Sequence, residues 1–411
     1  MAGILRGSLG ALLHLGGNGA HPARIGRKGD GLKVGGAWLN HPGTQALCAA
    51  LGQAGHCILF VGGCVRNALM GLPVADIDLA TDALPEIVAK VASDAGFKVI
   101  PTGIDHGTVT VIAGGVAHEI TTFRRDVETD GRRAVVSFSR DLADDVARRD
   151  FTMNALYAEP SGAVVDPLGG LPDLLARRVR FVGNPDQRIR EDYLRILRFF
   201  RFQAVYGDPD QGIDADGLAA CAALSDGIAT LSRERIGAEM RKLLAARDPA
   251  PALASMAAAG VLLHVLPGAD PRAIAPLVHL EGDLTPRWQR RLAVLGGQDM
   301  TLNLRLSRQE ASEIAKISAE IGSFLSPAAL GWKLGAVPGA DVVLARAALL
   351  ESPLPPGWQA EVGRGAAAKF PISAADLMPS LKGQALGARL KDLETRWLIS
   401  DLTLNRDALL S

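Results

Sequence analysis

Val61-Gly-Gly-Cys-Val-Arg-Asn-Ala-Leu-Met-Gly-Leu-Pro-Val-Ala-Asp-Ile-Asp78 is the stretch on which the reading of this chain turns. The run Cys57-Ile-Leu-Phe-Val61 has the composition of a buried strand and ends at Gly62-Gly63. A helix through Val65, Leu69 and Met70 then stops at Gly71, with Pro73 two residues on. Ala75-Asp-Ile-Asp-Leu-Ala80 alternates like a half-buried strand. Glycines between a strand and a helix leave backbone N–H groups open to a phosphate at the positive end of the helix dipole. Arg66, one turn into that helix, can reach the same anion. Asp76 and Asp78 stand two apart on the second strand, so both carboxylates point to one face. Neighbouring carboxylates repel unless a cation sits between them, and hard oxygen ligands suit Mg²⁺. A metal pair gripping a triphosphate can activate an attacking hydroxyl and stabilise a pyrophosphate leaving group. A lone D-x-D or Gly-Gly is commonly structural. Both in register, with an arginine between them, point to a nucleotide site.

Outward from this stretch, strands and helices alternate as far as residue 125. His41 to Gly55 reads as a short helix, and Thr81/Asp82 followed by Pro85 and Glu86 starts another that runs to about Gly96. Three strand-like pieces follow, Lys98 to Pro101, Thr108 to Ile112 and Val116 to Phe123. After residue 140 helices take over. Asn184-Pro185 caps a helix from about Asp186 to Tyr206, Ser232 marks a further start, and Ser307 with Glu310 forms a capping box. The expected fold is α+β: a head of mixed sheet and helices followed by an all-helical remainder. Met1 to Gly36 is Gly-rich and basic, and Arg6 and His14 interrupt the apolar stretch that a secretory signal needs, so residues 1–37 are expected to be a disordered leader.

Composition narrows the functional classes. The chain has 411 residues, enough for two or three domains, and its 48% hydrophobic content excludes a disordered or collagenous chain. Its 44 basic and 44 acidic residues cancel, so a polyanion site must come from local clustering. No uncharged apolar run approaches the roughly 18 residues of a membrane span. Cys48, Cys57, Cys64 and Cys221 show neither C-x-x-C nor zinc spacing, which suits reduced thiols and a cytoplasmic setting.

Gly62-Gly-Cys-Val-Arg66, nine intervening residues and Asp76-Ile-Asp78 resemble the signature of class II tRNA nucleotidyltransferases (CCA-adding enzymes) and bacterial poly(A) polymerases, within the polymerase-β-like superfamily. The resemblance runs from about residue 38 to about 240. One departure is Asn67, where that family usually carries Asp; it bears on the bracing of Arg66. His118-Glu-Ile-Thr-Thr-Phe-Arg124 resembles the strand beside the metal pair, which makes Glu119 a candidate third acidic residue. Arg124 to Arg133 reads by itself as a solvated loop with a turn at Asp130-Gly131, and in position it resembles the flexible loop linked to addition of the terminal A. Asp145-Val-Ala-Arg-Arg-Asp-Phe-Thr-Met-Asn-Ala155 matches the family's R-R-D-F-T-x-N-A, in which an arginine meets the triphosphate; here that implies Arg149, alongside Gly63 and Arg66.

Glu191-Asp-Tyr-Leu-Arg-Ile-Leu-Arg-Phe-Phe-Arg201 places Asp192, Arg195, Arg198 and Arg201 at spacing three, a drifting stripe on one helix face. Between Ala176 and Gln203 eight arginines face only Asp186, Glu191 and Asp192, a local excess of five positive charges suited to phosphates and RNA. A carboxylate only accepts hydrogen bonds and a guanidinium only donates them. Asp192 with Arg195 therefore asks for a base edge with an exocyclic amine beside an unprotonated ring nitrogen. Cytosine and adenine both offer that edge, whereas uracil and guanine reverse both contacts, and buried groups left unpaired discriminate strongly. The resemblance implies the same reading of CTP and ATP by the family's E-D-x-x-R. Leu231-Ser-Arg-Glu-Arg-Ile-Gly-Ala-Glu239 matches a late motif of the family and is taken as structural.

Taken together, the resemblance implies CCA addition to tRNA from CTP and ATP, with Mg²⁺ held by Asp76 and Asp78. The implied domains are a head over 38–175, a neck over 176–245, and a body and tail over 246–411 that hold tRNA. The nearest alternative is a poly(A) polymerase, which usually carries a basic G-R-R-F segment where this chain has Lys98 to Thr108. An enzyme adding only CC is disfavoured by the loop at Asp126 to Arg133, and a catalytically silent RNA-binding protein by the intact Asp76/Asp78 pair. A dinucleotide-binding oxidoreductase fails because no G-x-G-x-x-G follows the first strand.

Overall fold

The apolar run Ile58–Val61 (β1) and the alternating run Ile77–Thr81 (β2) pair antiparallel at the centre of a seven-stranded sheet. The computed structural model describes residues 31–101, 103–130, 133–378 and 380–411. The other strands are Lys98–Ile100 (β3), Thr108–Ala113 (β4), Val116–Thr122 (β5), Tyr157–Ala158 (β8) and Val164–Val165 (β9), in the order β3-β4-β5-β2-β1-β8-β9. Only β2 and β5 run parallel; the other described pairs are antiparallel. Strand period sorts the two faces. Ile77 and Leu79, Val109 and Val111, and His118 and Ile120 are buried on one face. Asp78, Thr108, Thr110, Glu119 and Thr121 occupy the other, which is more open.

Helices Ala37–Asn40 (α1), Pro42–Gln53 (α2), Gly63–Leu69 (α3) and Pro85–Asp94 (α4) belong to this unit. The apolar positions Leu47, Leu51, Val88 and Ala92 of α2 and α4 are fully buried, so these two helices close the apolar face. Leu142–Ala147 (α5) and Leu171–Leu175 (α6) complete it. Two expectations need correction. The residue capping α4 is Leu84, not Thr81 or Asp82. Thr81 Oγ1 instead donates to Cys57 O, and Asp82 Oδ1 accepts from Cys57 N, so both polar side chains bind the neighbouring strand's end. Of the expected loop, residues 131 and 132 lie outside the described residues; Arg124–Asp130 (β6) and Arg133–Phe138 (β7) instead make a two-stranded sheet of their own. Cross-strand hydrogen bonds between β6 and β7 need no apolar period, which is why periodicity did not reveal the strands.

Of the expected leader, residues 1–30 lie outside the described residues. Its end is ordered, contrary to expectation. Val34 is buried, its N–H bonds Gly162 O at 2.8 Å, and Val164 N bonds Leu32 O at 2.9 Å. The alternation of Leu32 and Val34 lets this piece close the sheet beyond β9.

By contact density the chain divides into two units. The first comprises residues up to 127 with 136–175, and the second comprises 128–135 with 176–411. Helices dominate the second: Pro185–Glu191 (α7), Leu194–Tyr206 (α8), Ala215–Ala223 (α9), Arg233–Leu244 (α10) and a further series to Leu410. Ser307 and Glu310 form the expected capping box, and Asn184 Oδ1 caps α7 by accepting from Gln187 N. The C-terminus of α10 is held by Arg291, whose guanidinium donates to Leu244 O at 2.7 Å and Arg247 O at 3.0 Å. The same group meets Glu281 at 2.6 Å, and Arg290 bridges Glu281 to Asp341, all four side chains buried. Buried charges persist only where paired and hydrogen-bonded, and here each has a partner of opposite sign. The helices carrying Glu281, Arg291 and Asp341 are thus tied to the end of α10.

Candidate active site

In the first unit the Gly62-Gly63 turn is the hinge of the site. Gly62 adopts φ 69° and ψ −119°, a backbone region that is essentially glycine's alone. That turn lets the chain leave β1 and enter α3 within one residue. Its surroundings are cationic. A methyl group on Gly62 would lie 3.8 Å from Arg149 Nη1, and one on Gly63 would lie 3.8 Å from Arg66 Nη2. Two guanidinium groups therefore flank the turn. Arg66 is buried and braced on two sides: Nε and Nη2 donate to Asn67 Oδ1 at 3.1 and 2.8 Å, and Nη1 donates to Asn154 Oδ1. The departure at Asn67 has not removed the brace.

Arg149 is held by Asp145, which is completely buried on α5. Its Oδ2 accepts from Arg149 Nε at 3.2 Å and Nη2 at 2.7 Å, and from Tyr157 OH at 2.7 Å, while Oδ1 accepts from Arg148 Nε at 2.8 Å. Burial alone would raise this carboxyl's pKa. Arg149, Arg148 and the hydrogen bonds outweigh it and hold the group at about 2. A carboxylate depressed in the folded state stabilises the fold above its unfolded pKa and loses that contribution as pH falls toward 2. Asp145→Asn should cost about 3 kcal/mol at pH 7, because it removes a buried negative charge shared by two half-buried guanidinium groups. Denaturant unfolding from pH 7 down to pH 3 should show the gap between variant and parent shrinking; a constant gap would contradict this role. Sequence reading quoted Asp145 without assigning it a task. The spacing i, i+3 and i, i+4 to Arg148 and Arg149 was the available signal.

Asp78 lies on β2 with Glu119 as its register partner on β5. Burial raises its pKa, Glu119 and Asp76 raise it further, and Arg149 and Arg66 oppose them. Two further carboxylates and two arginines thus act on Asp78 near the start of β2. Asp76 departs from expectation in one respect: β2 begins at Ile77, so Asp76 is an exposed residue of the connection that leads into the strand. Among the described residues no three His, Cys, Asp or Glu side chains cluster tightly enough to hold a metal unaided. Mg²⁺ is commonly bound by one or two carboxylates plus substrate phosphates, so the donor set fits such an ion.

The second unit holds the arginine-rich segment, and here the sequence reading needs its main correction. The expected helix from Asp186 to Tyr206 is two helices, α7 and α8, broken at Asp192, which is extended at φ −155° and ψ 105°. Asp192 therefore does not share a helix face with Arg195, Arg198 and Arg201. Its Oδ1 accepts from Leu194 N at 3.1 Å and its Oδ2 from Arg235 Nη2 at 2.7 Å. The break is fixed from outside: the Tyr193 ring lies against Gly227, where an added methyl would sit 2.0 Å from the ring. Arg195 is buried and donates through Nη1 to Glu191 Oε2 and Arg188 O, both at 2.6 Å. Arg198 and Arg201 both lie over the Phe202 ring, 5.4 and 4.6 Å from its centroid, and Arg201 Nε donates to the buried Glu239. The motif at 231–239 thus supplies Arg235 to Asp192 and Glu239 to Arg201, partners that sequence reading missed.

Comparison with known proteins adds to this geometry. Residues 58–180 match the Poly A polymerase head domain, and residues 212–272 match the probable RNA and SrmB-binding site of polymerase A. The CCA-adding enzyme of Geobacillus thermodenitrificans is 40% identical over 234 residues, 56% of each chain. The human mitochondrial CCA tRNA nucleotidyltransferase 1 is 41% identical over 203 residues, 49% of this chain and 47% of its own. The crystal structure of the Bacillus stearothermophilus CCA-adding enzyme in complex with CTP superposes with a TM-score of 0.69 at 29% identity, covering 87% of this chain and 93% of that one. Two stretches of this chain are thus similar to the head and RNA-binding domains of poly(A) polymerases, and the chain is similar to CCA-adding enzymes. The match spans about half the length of these curated relatives. The Thermotoga maritima CCA-adding enzyme complexed with tRNA shares the fold, with a TM-score of 0.62 at 18% identity. Such enzymes generally use a divalent metal. Among the described residues no helix is long and apolar enough to cross a membrane.

Proposed function

We propose that this chain is a CCA-adding tRNA nucleotidyltransferase, which extends the 3′ end of tRNA with C, C and A from CTP and ATP and needs no nucleic-acid template. The observation that carries the reading is Asp78, half-buried and in register with Glu119, with Arg66 and Arg149 flanking the neighbouring Gly62-Gly63 turn. Asp76 and Asp78 would hold Mg²⁺, with Glu119 as a third acidic residue beside them. Bound there, the ion would supply Lewis-acid polarisation of the α-phosphate and favour the alkoxide form of the attacking hydroxyl. Gly63, Arg66 and Arg149 would grip the triphosphate and hold its leaving pyrophosphate in line with the attack. The tRNA 3′-oxygen then bonds to the α-phosphorus as the bond to the β,γ-pyrophosphate breaks.

Base choice falls to Asp192 and Arg195, with Arg198 and Arg201 as further nucleotide-binding residues. Glu191 and Arg188 O occupy Arg195 Nη1, which fixes the direction of the remaining guanidinium donors. Arg235 pairs with Asp192 Oδ2 at 2.7 Å and so orients the carboxylate as an acceptor of an exocyclic amine. We read residues 176–245 as a neck and 246–411 as a body and tail that bind tRNA by shape and backbone contact. A cytoplasmic enzyme is the setting this reading expects, in keeping with four free cysteines.

Purified chain mixed with Mg²⁺, labelled CTP and ATP, and tRNA lacking its CCA end should incorporate both labels and exclude UTP and GTP. Absence of incorporation would retire the enzyme reading in favour of a silent RNA-binding protein. A long ladder with ATP alone would favour a poly(A) polymerase.

A further inference from the structure

We propose that Asn67 is a positioning residue serving two parts of the site at once: it aims Arg66 and it pins the connection that delivers Asp76. This inference rests on the nucleotidyl-transfer reading above. Asn67 Oδ1 takes two N–H groups from one edge of the Arg66 guanidinium, at 3.1 and 2.8 Å. Its Nδ2 donates to Pro73 O at 2.9 Å, and its backbone carbonyl accepts from Leu72 N at 2.8 Å. Residues 72 and 73 are therefore tied to residue 67 by both side chain and main chain, three residues before Asp76. On the far side Arg66 Nη1 reaches Asn154 Oδ1, and Asn154 Nδ2 donates to Asp150 Oδ1 at 2.9 Å. One run of hydrogen bonds thus leads from Pro73 through Asn67, Arg66 and Asn154 to the Arg148-Arg149-Asp150 segment.

Side-chain chemistry makes asparagine the match here. One neighbour, a guanidinium, only donates; the other, a carbonyl, only accepts. An amide in a single orientation satisfies both. An aspartate satisfies the guanidinium alone and sets an anionic oxygen against Pro73 O. It also places a negative charge beside Arg66, which weakens that group's pull on a triphosphate. In this chain, therefore, Asp at position 67 is not a neutral exchange for Asn.

The test compares parent, Asn67→Ala and Asn67→Asp in the full chain by three measurements. Hydrogen exchange of peptides covering residues 70–76, without nucleotide or metal, should quicken about fivefold in both variants, the effect of losing one modest hydrogen bond. Affinity for inorganic triphosphate should fall about fivefold in Asn67→Ala and about tenfold in Asn67→Asp, since the second also adds a charge. In nucleotide incorporation kcat should drop in both, with KM for CTP rising more in Asn67→Asp, while the thermal midpoint stays within a few degrees. Unchanged exchange at 70–76 in both variants would overturn the pinning of the connection. Equal triphosphate affinity in all three proteins would overturn the aiming of Arg66. If the parent incorporates no nucleotide yet the exchange and affinity changes appear, Asn67 positions an anion site and the catalytic reading fails separately.

Discussion

Asp78→Ala should lower nucleotide incorporation by about a thousandfold or more, the loss expected when several kcal/mol of transition-state charge stabilisation disappear. tRNA binding should persist, because the helices of the second unit are untouched. The stability of the variant separates a metal-holding role from a structural one. Burial, Glu119 and Asp76 push the Asp78 carboxyl above its usual range. A carboxyl raised in the folded state favours folding while protonated, and that contribution is lost as pH rises through its folded pKa. At pH 7 without divalent ions the ionised group therefore opposes folding, and Asp78→Asn or Asp78→Ala should be as stable as the parent or more so. The advantage should shrink as pH falls toward the ordinary carboxylate range. Calorimetry in chelator at pH 7 and pH 5 tests this alongside turnover. A variant that keeps its activity, or one that is inactive and much less stable, would remove Asp78 from the proposed metal site.

The second large effect concerns base choice. Asp192→Ala should relax discrimination against UTP by about a hundredfold or more, because a polar site rejects a mismatched edge through the groups it leaves unpaired. KM for the correct nucleotides should change far less, since the triphosphate grip resides on Gly63, Arg66 and Arg149. The stability cost should be about 1 kcal/mol, from one lost N–H acceptor at Leu194 and one partly exposed ion pair with Arg235. Competition between CTP and UTP, read as the ratio of kcat/KM values, measures this directly. Full activity with UTP still rejected as in the parent would show that Asp192 does not read the base.

How much of this was written in the sequence varies with the range of the interactions involved. The strand–turn–helix–strand from Cys57 to Ala80 could be read because its signals are local. They are a β-branched and aromatic run, two glycines, a Gly-x-Pro stop and an alternating strand. The neighbouring of β2 and β5, which sets Glu119 beside Asp78, came only from the resemblance and not from local pattern, because parallel pairing joins segments 41 residues apart. The continuous helix over 186–206 was misread for a related reason. Spacing three in Asp192, Arg195, Arg198 and Arg201 and the apolar Leu194, Leu197 and Phe200 both run through the break. What interrupts the helix comes from elsewhere in the chain, Arg235 on Asp192 and Gly227 beneath Tyr193. Asp145, Asn154 and Glu239 were missed as braces because each looked like one more polar residue in a charged segment. Burial, which sequence does not display, gives them their weight.

The central claim is that one chain writes C, C and A and then stops. Sequencing the products formed on a tRNA that ends at the discriminator base, with Mg²⁺, CTP and ATP supplied together, tests it most directly. The expected product carries three added nucleotides reading CCA. An untemplated run of A, or tRNA ends left unextended, would contradict it.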